Sequence, residues 1–162
     1  MKSKNKFILL IALVIGGIDQ LIKYIIINKL ELFESIRIFK NFNITYVNNT
    51  GAAFSILSGN VFILIILGII LTYLFYKYFI KNKVLNKIEI IIYGILFGGV
   101  LGNFIDRIFR NSVIDYLDIK IFNYDFPVFN FADIAIVCSI IVLIILIIRG
   151  EKNENSNKWR KC

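Results

Sequence analysis

At 162 residues, 58% of them hydrophobic, and with a mean hydropathy of +0.76, the chain is more apolar than a soluble domain of its length. Its formal net charge is +8, but the lysines and arginines gather at the two ends and in one loop, which reads as membrane topology rather than a nucleic-acid face. Histidine is absent, which excludes Ser-His, Cys-His and His-metal chemistry and leaves acid–base work near neutral pH to Asp, Glu, Lys, Tyr or Cys.

A membrane-spanning helix needs about 20 mostly apolar residues. Four stretches meet that need, at about 7–28, 61–80, 88–108 and 130–148. The first follows Lys2, Lys4 and Lys6 and is not closed by a small-residue cleavage site, so a retained helix is expected. Between the first two spans, residues 31–58 carry Ile36-Arg37-Ile38-Phe39 and Phe42-Asn43-Ile44-Thr45-Tyr46-Val47. Their β-branched and aromatic content predicts short strands, with Asn48-Asn49-Thr50-Gly51 as the turn that ends them. Residues 109–129 are expected to form a mostly extended outer loop, with Pro127 limiting helix before the fourth span. The polar tail 149–162 is expected to be frayed. Cys138, in an apolar run, and Cys162 supply neither metal spacing nor a disulfide framework. The reading is one membrane domain, 1–162: an α-helical integral membrane protein of four transmembrane helices with a small extracytoplasmic β-sheet.

Basic residues orient the bundle. Lys77, Lys81, Lys83 and Lys87 flank the second connection, and Arg149, Lys152, Lys158, Arg160 and Lys161 follow the fourth span. With the three N-terminal lysines they predict both termini on the cytoplasmic side and two outer segments, the first nearly balanced in charge and the second slightly acidic.

Acidic residues are the chemical signal, because a carboxylate inside a bilayer costs about 2.5–3.5 kcal/mol and is a functional candidate by default. Asp19 lies roughly 18 Å into the first span by helical rise, with Lys23 one turn on. That i, i+4 pair can neutralise itself. Asn103 and Asp106 share a face at the end of the third span, beyond Gly98, Gly99 and Gly102, which permit close helix approach. Asp115 lies in the outer loop, and Asp118 and Asp125 read as ordinary solvated loop acids. Asn130 is placed to cap the fourth helix with Asp133 in its first turn. Two carboxylates that share one proton can hydrolyse an amide without histidine. Sequence physics alone does not choose which two.

These residues carry a resemblance. Asp19-Gln20-Leu21-Ile22-Lys23, Asn49-Thr50-Gly51-Ala52-Ala53-Phe54-Ser55, Gly98 to Arg107, Val113-Ile114-Asp115-Tyr116 and Phe129-Asn130-Phe131-Ala132-Asp133 resemble, in order, the five blocks of the signal peptidase II family, also called lipoprotein signal peptidase. The resemblance implies a membrane-embedded aspartic endopeptidase with catalytic Asp115 and Asp133. It implies that Asp19, Lys23, Asn49, Gly51, Asn103, Asp106, Arg107 and Asn130 support the dyad or bind substrate. Asn48 departs from the pattern, since the family often has a basic residue there. The implied substrate is a prolipoprotein carrying a diacylglyceryl group on a cysteine, cut on the N-terminal side of that cysteine, with the outer strands and Asn49 to Phe54 gripping the peptide. The expectation is of a monomer surrounded by phospholipid in the bacterial cytoplasmic membrane, with the site toward the extracytoplasmic side, no metal or organic cofactor, and no nucleic acid.

Two other readings use the same acids. A proton-coupled transporter would string them along a path across the membrane, whereas these cluster toward one face and no inverted repeat accompanies them. A structural subunit would use them only as glue between helices.

Overall fold

The computed structural model describes residues 2–51, 57–122 and 124–159. Helix α1 runs Lys2–Lys29 and is followed by strands β1 (Ser35–Phe39) and β2 (Phe42–Asn49). Helix α2 (Val61–Phe75) continues into a π-helical turn, Tyr76–Ile80. Helix α3 (Lys87–Arg110), strands β3 (Val113–Ile121) and β4 (Tyr124–Asp125), and helix α4 (Phe131–Trp159) complete the chain. Among the described residues four segments are long and apolar enough to cross a membrane: Ser3–Lys29, Val61–Ile80, Lys87–Arg110 and Phe131–Arg149.

The bundle is organised on α3. Gly94, Gly98 and Gly102 form a stripe at four-residue spacing, and Ile11, Ile15 and Asp19 of α1 repeat at the same spacing opposite it. A Cβ on Gly94 would lie 2.6 Å from Ile11, one on Gly98 would lie 2.5 Å from Ile15, and one on Gly102 would strike the Asp19 carboxylate. Backbones this close gain dispersion contact over their whole length, the main attraction between helices in lipid. Gly99, on the adjoining face, admits the carbonyl of Ala132 and so seats the start of α4. Helix α2 is held less: it has no fully buried residue and meets α3 where the Phe104 ring fills the space beside Gly68 and where Phe75 packs edge-on against Tyr93 and Phe97.

The apolar core lies at the end of the bundle away from the sheet, around Ile8, Ile80, Tyr93, Leu96 and Leu143. There the Lys4 ammonium donates to the carbonyls of Ile80 and Lys83 and closes the end of the π-turn. Asn86 opens α3 with a reciprocal capping box, its side chain accepting from the Glu89 amide at 2.9 Å and its amide donating to the Glu89 carboxylate at 2.7 Å.

At the opposite end the four strands form one antiparallel sheet in chain order, β1-β2-β3-β4. Three expectations change here. The outer loop is largely strand, because Val113 to Ile119 pair with β2 along most of its length. Asn48 and Asn49 are not turn residues but lie in β2 opposite Ile114 and Val113, a pairing set by chain more than sixty residues away. The polar tail continues α4 to Trp159, since its Glu, Lys, Asn and Ser residues contain no helix breaker once Gly150 is passed.

Candidate active site

Every sequence-singled residue of the polar set lies at the sheet end of the bundle, in two adjoining clusters. The first is ionic. Lys23 is fully buried, and its ammonium sits 2.7 Å from Asp19, 2.7 Å from Asp106 and 3.0 Å from the Asn103 carbonyl oxygen. Asp19 and Lys23 are therefore not a self-contained pair. The second Asp19 oxygen accepts the Ala132 amide of α4 at 3.1 Å. Asp106, also fully buried, takes Arg110 and Gln20 on one oxygen and Lys23 and the Ile114 amide on the other. Its four acceptor sites are filled, and the last of these bonds ties α3 to the residue before Asp115.

The second cluster is held by neutral amides. Asp115 is 3% exposed and accepts from Asn49 at 2.9 Å and from Asn130 at 2.6 Å. Asp133 accepts from the Asn103 side chain at 2.8 Å and from the Asn130 backbone at 3.1 Å. Asn130 thus touches both carboxylates, with its side chain on one and its main chain on the other. Its side-chain oxygen accepts the Asp133 amide at 2.9 Å, so the expected cap of α4 and the junction between the two acids are one device. Among the described residues neither Asp115 nor Asp133 forms an ion pair. Asn103 links the clusters: its oxygen receives Lys23 and Asn130, which leaves its NH2 for Asp133.

Burial, and then the neighbouring Asp133 charge, push the Asp115 carboxyl up to about 7, against the pull of Asn49, Asn130 and Lys23. Asp115 therefore holds its proton near neutrality while lying beside a second carboxyl group. The Tyr116 phenol is also pushed up by burial and stays a neutral hydroxyl.

Both acids line a cleft of about 930 Å³ between β2, β3, the segment before α4 and one face of α4. Asn49, Asn103 and Arg107 line it with them, while Ile119, Phe126 and Val137 supply apolar wall. Arg107 reaches the Gly51 carbonyl at 3.1 Å and ties the end of β2 to α3. Ala52 to Ser55 of the second block lie outside the described residues. Asp118 is not a free loop acid, since Asn43 and Thr45 donate to it across the sheet at 3.1 and 2.8 Å. Asp125 is exposed and pairs with exposed Lys120 at 2.9 Å.

The sequence reading left out three residues of these clusters. Arg110 was legible, because it stands four residues after Asp106 in the favourable order. Gln20 sits beside Asp19 but carries no charge signal. Tyr116, whose hydroxyl accepts the Phe131 amide at 3.1 Å, stands in the fourth family block, but nothing local to it assigns it a role.

A family profile described as signal peptidase (SPase) II matches residues 11–149. With four membrane-length helices and a cleft holding two carboxyl groups, this makes the chain a membrane-embedded aspartic peptidase. The lipoprotein signal peptidases of Staphylococcus aureus strains JH9 and Newman are each 38% identical to it over 151 residues, covering 93% of this chain and 93% of theirs. A bacterial membrane enzyme solved by the in meso method at 2.3 Å superposes with a TM-score of 0.81 at 37% identity, over 90% of either chain. A second, solved the same way at 1.9 Å, gives 0.76 at 38% identity over 86% of this chain and 91% of its own. The chain belongs to the signal peptidase II family and is a multi-pass bacterial membrane protein.

Proposed function

We propose that Asp115 and Asp133 are the catalytic dyad and that the substrate is a diacylglyceryl-modified prolipoprotein, cut on the N-terminal side of its lipidated cysteine. One observation carries the reading: Asn130 contacts both carboxyl groups at the wall of a single cleft, where Asp115 keeps its proton to about pH 7. A water molecule between the acids attacks the scissile carbonyl carbon. The ionised carboxylate takes the water proton, and the protonated one donates to the carbonyl oxygen. Collapse of the resulting diol expels the amine, which leaves with a proton from the dyad. The two acids titrate as a unit with two macroscopic pKa values. Asn49, Asn103 and Asn130 aim the carboxylates, while Asp19, Lys23 and Asp106 brace the helices that carry them. Arg107 and Gly51 hold the end of β2 at the mouth of the cleft, where strand addition would grip an extended peptide.

The protein works as one membrane domain and as a monomer in phospholipid. Both termini are cytoplasmic and the cleft faces the extracytoplasmic side. The basic residues gathered at the far end of the bundle from the sheet support that orientation. A signal peptide is itself a membrane helix, and a cleft open at the bundle's rim meets its end at the right depth. The test is incubation of purified protein with a lipid-modified precursor and detection of released signal peptide. No release, or equal release from an unlipidated precursor, refutes the substrate assignment.

A further inference from the structure

Helix α4 begins at a buried position, so its first backbone N–H groups must find acceptors inside the protein. All of them do, from three different elements. The Asn130 amide donates to Asp133, the Ala132 amide to Asp19 of α1, and the Asp133 amide to Asn130. The remaining one, on Phe131, donates to the Tyr116 hydroxyl of β3 at 3.1 Å. Tyr116 is 4% exposed and directly follows Asp115. Its main chain is bound to the same segment: the Tyr116 and Leu117 amides both reach the Phe129 carbonyl, at 3.0 and 2.7 Å, and the Phe129 amide returns to Leu117 at 3.1 Å. Those main-chain bonds fix the strand up to Phe129. The phenol carries that register one residue past Asn130, into the helix that bears Asp133.

We propose that Tyr116 is a positioning residue for the reaction, its hydroxyl setting the start of α4 against β3 and so the placement of Asp133 relative to Asp115. This rests on the dyad reading above. The phenol touches neither carboxylate and acts through the Phe131 amide. Asn130, whose side chain and main chain reach both acids, lies one residue before that amide. Phenylalanine at 116 keeps the ring and removes the acceptor, leaving a buried N–H without a partner.

The experiment is a double-mutant cycle on full-length protein with a lipid-modified precursor, read as kcat, KM and the pH profile of kcat. Tyr116→Phe is expected to lower kcat about tenfold with KM within about twofold, because misplacing a reacting group costs rate more than binding. The limb of the pH profile that reports the acid pair should move as well. Phe131→Pro removes the donor at a first helical position, where proline fits. In that background Tyr116→Phe should cost nothing further. An unchanged kcat and pH profile in Tyr116→Phe overturns the proposal, as does an equal loss in both backgrounds. If Tyr116→Phe does not accumulate alone, the comparison of Phe131→Pro with the double variant decides by the same criterion. Asp115→Asn and Asp133→Asn run in the same assay. Activity in either sinks the dyad reading and this inference together, whereas two inactive variants beside a normal Tyr116→Phe sink only the role of Tyr116.

Discussion

Two buried carboxylates on neighbouring elements, Asp106 and Asp115, meet opposite environments. Asp106 is surrounded by cations and donors, with Lys23, Arg110, Gln20 and the Ile114 amide filling its oxygens. Asp115 has only neutral amides, from Asn49 and Asn130, and a second acid nearby. A saturated, ion-paired carboxylate is a strut: its oxygens are all engaged and it has no lone pair to give. A carboxylate held by amides beside another acid can hold a proton near neutrality and release it. Burial alone did not distinguish the two. The charge of their partners does.

The sharpest break of this comparison is at the acids themselves. Asp115→Asn and Asp133→Asn should each remove cleavage by about 10³-fold or more while the protein remains inserted and folded. Signal-peptide release and thermal unfolding in detergent measure the two halves of that statement, and full activity in either variant refutes the assignment. Asp106→Asn should act the other way round. It leaves Lys23 and Arg110 short of a counter-charge in a buried site, at a cost of about 3–5 kcal/mol, so the unfolding temperature falls steeply. Lost cleavage should track lost folded protein.

The pH profile gives a finer separation. The Asp115 proton is lost as pH rises through about 7, so kcat/KM should fall above that value as the shared proton disappears. The Asn49 hydrogen bond favours the ionised form. Asn49→Ala should therefore move that limb to higher pH, and a shift to lower pH would contradict the role given to Asn49. The smallest effect belongs to the exposed Lys120–Asp125 pair on the sheet. Lys120→Ala should leave both unfolding and cleavage unchanged, since exposed ion pairs contribute little.

The helices were legible because a bilayer demands long apolar runs, and four such runs are plain in the chain. Strands β1 and β2 were legible from Ile36 to Val47, whose residue types favour a pleated surface. Strand β3 was not. Val113 to Ile121 form a strand because β2 offers an edge at Asn49, which pairs with Val113 far along the chain, and no local periodicity announces that partner. The site shows the same division. Asn130 with Asp133 at cap spacing, and Asn103 with Asp106 on one face, are visible in three-residue steps. The choice of Asp115 over Asp106 came from the family resemblance, because it depends on which side chains arrive from other elements. Tyr116 belongs with that unreadable remainder, since its partner lies fifteen residues away on a different element.

Helix α1 leaves the ribosome well before Gly102 or Ala132 has been made, so during synthesis Asp19 has neither its α3 seat nor its α4 amide. In that interval Lys23, one turn along the same helix, is the counter-ion already built in. The lysine therefore serves twice. It first keeps a nascent span neutral enough to stay in lipid, and later becomes the hub onto which the third helix docks. A substitution that spares the finished enzyme can still fail at the translocon, and pulse-labelled insertion of the isolated first span is where such a failure would surface.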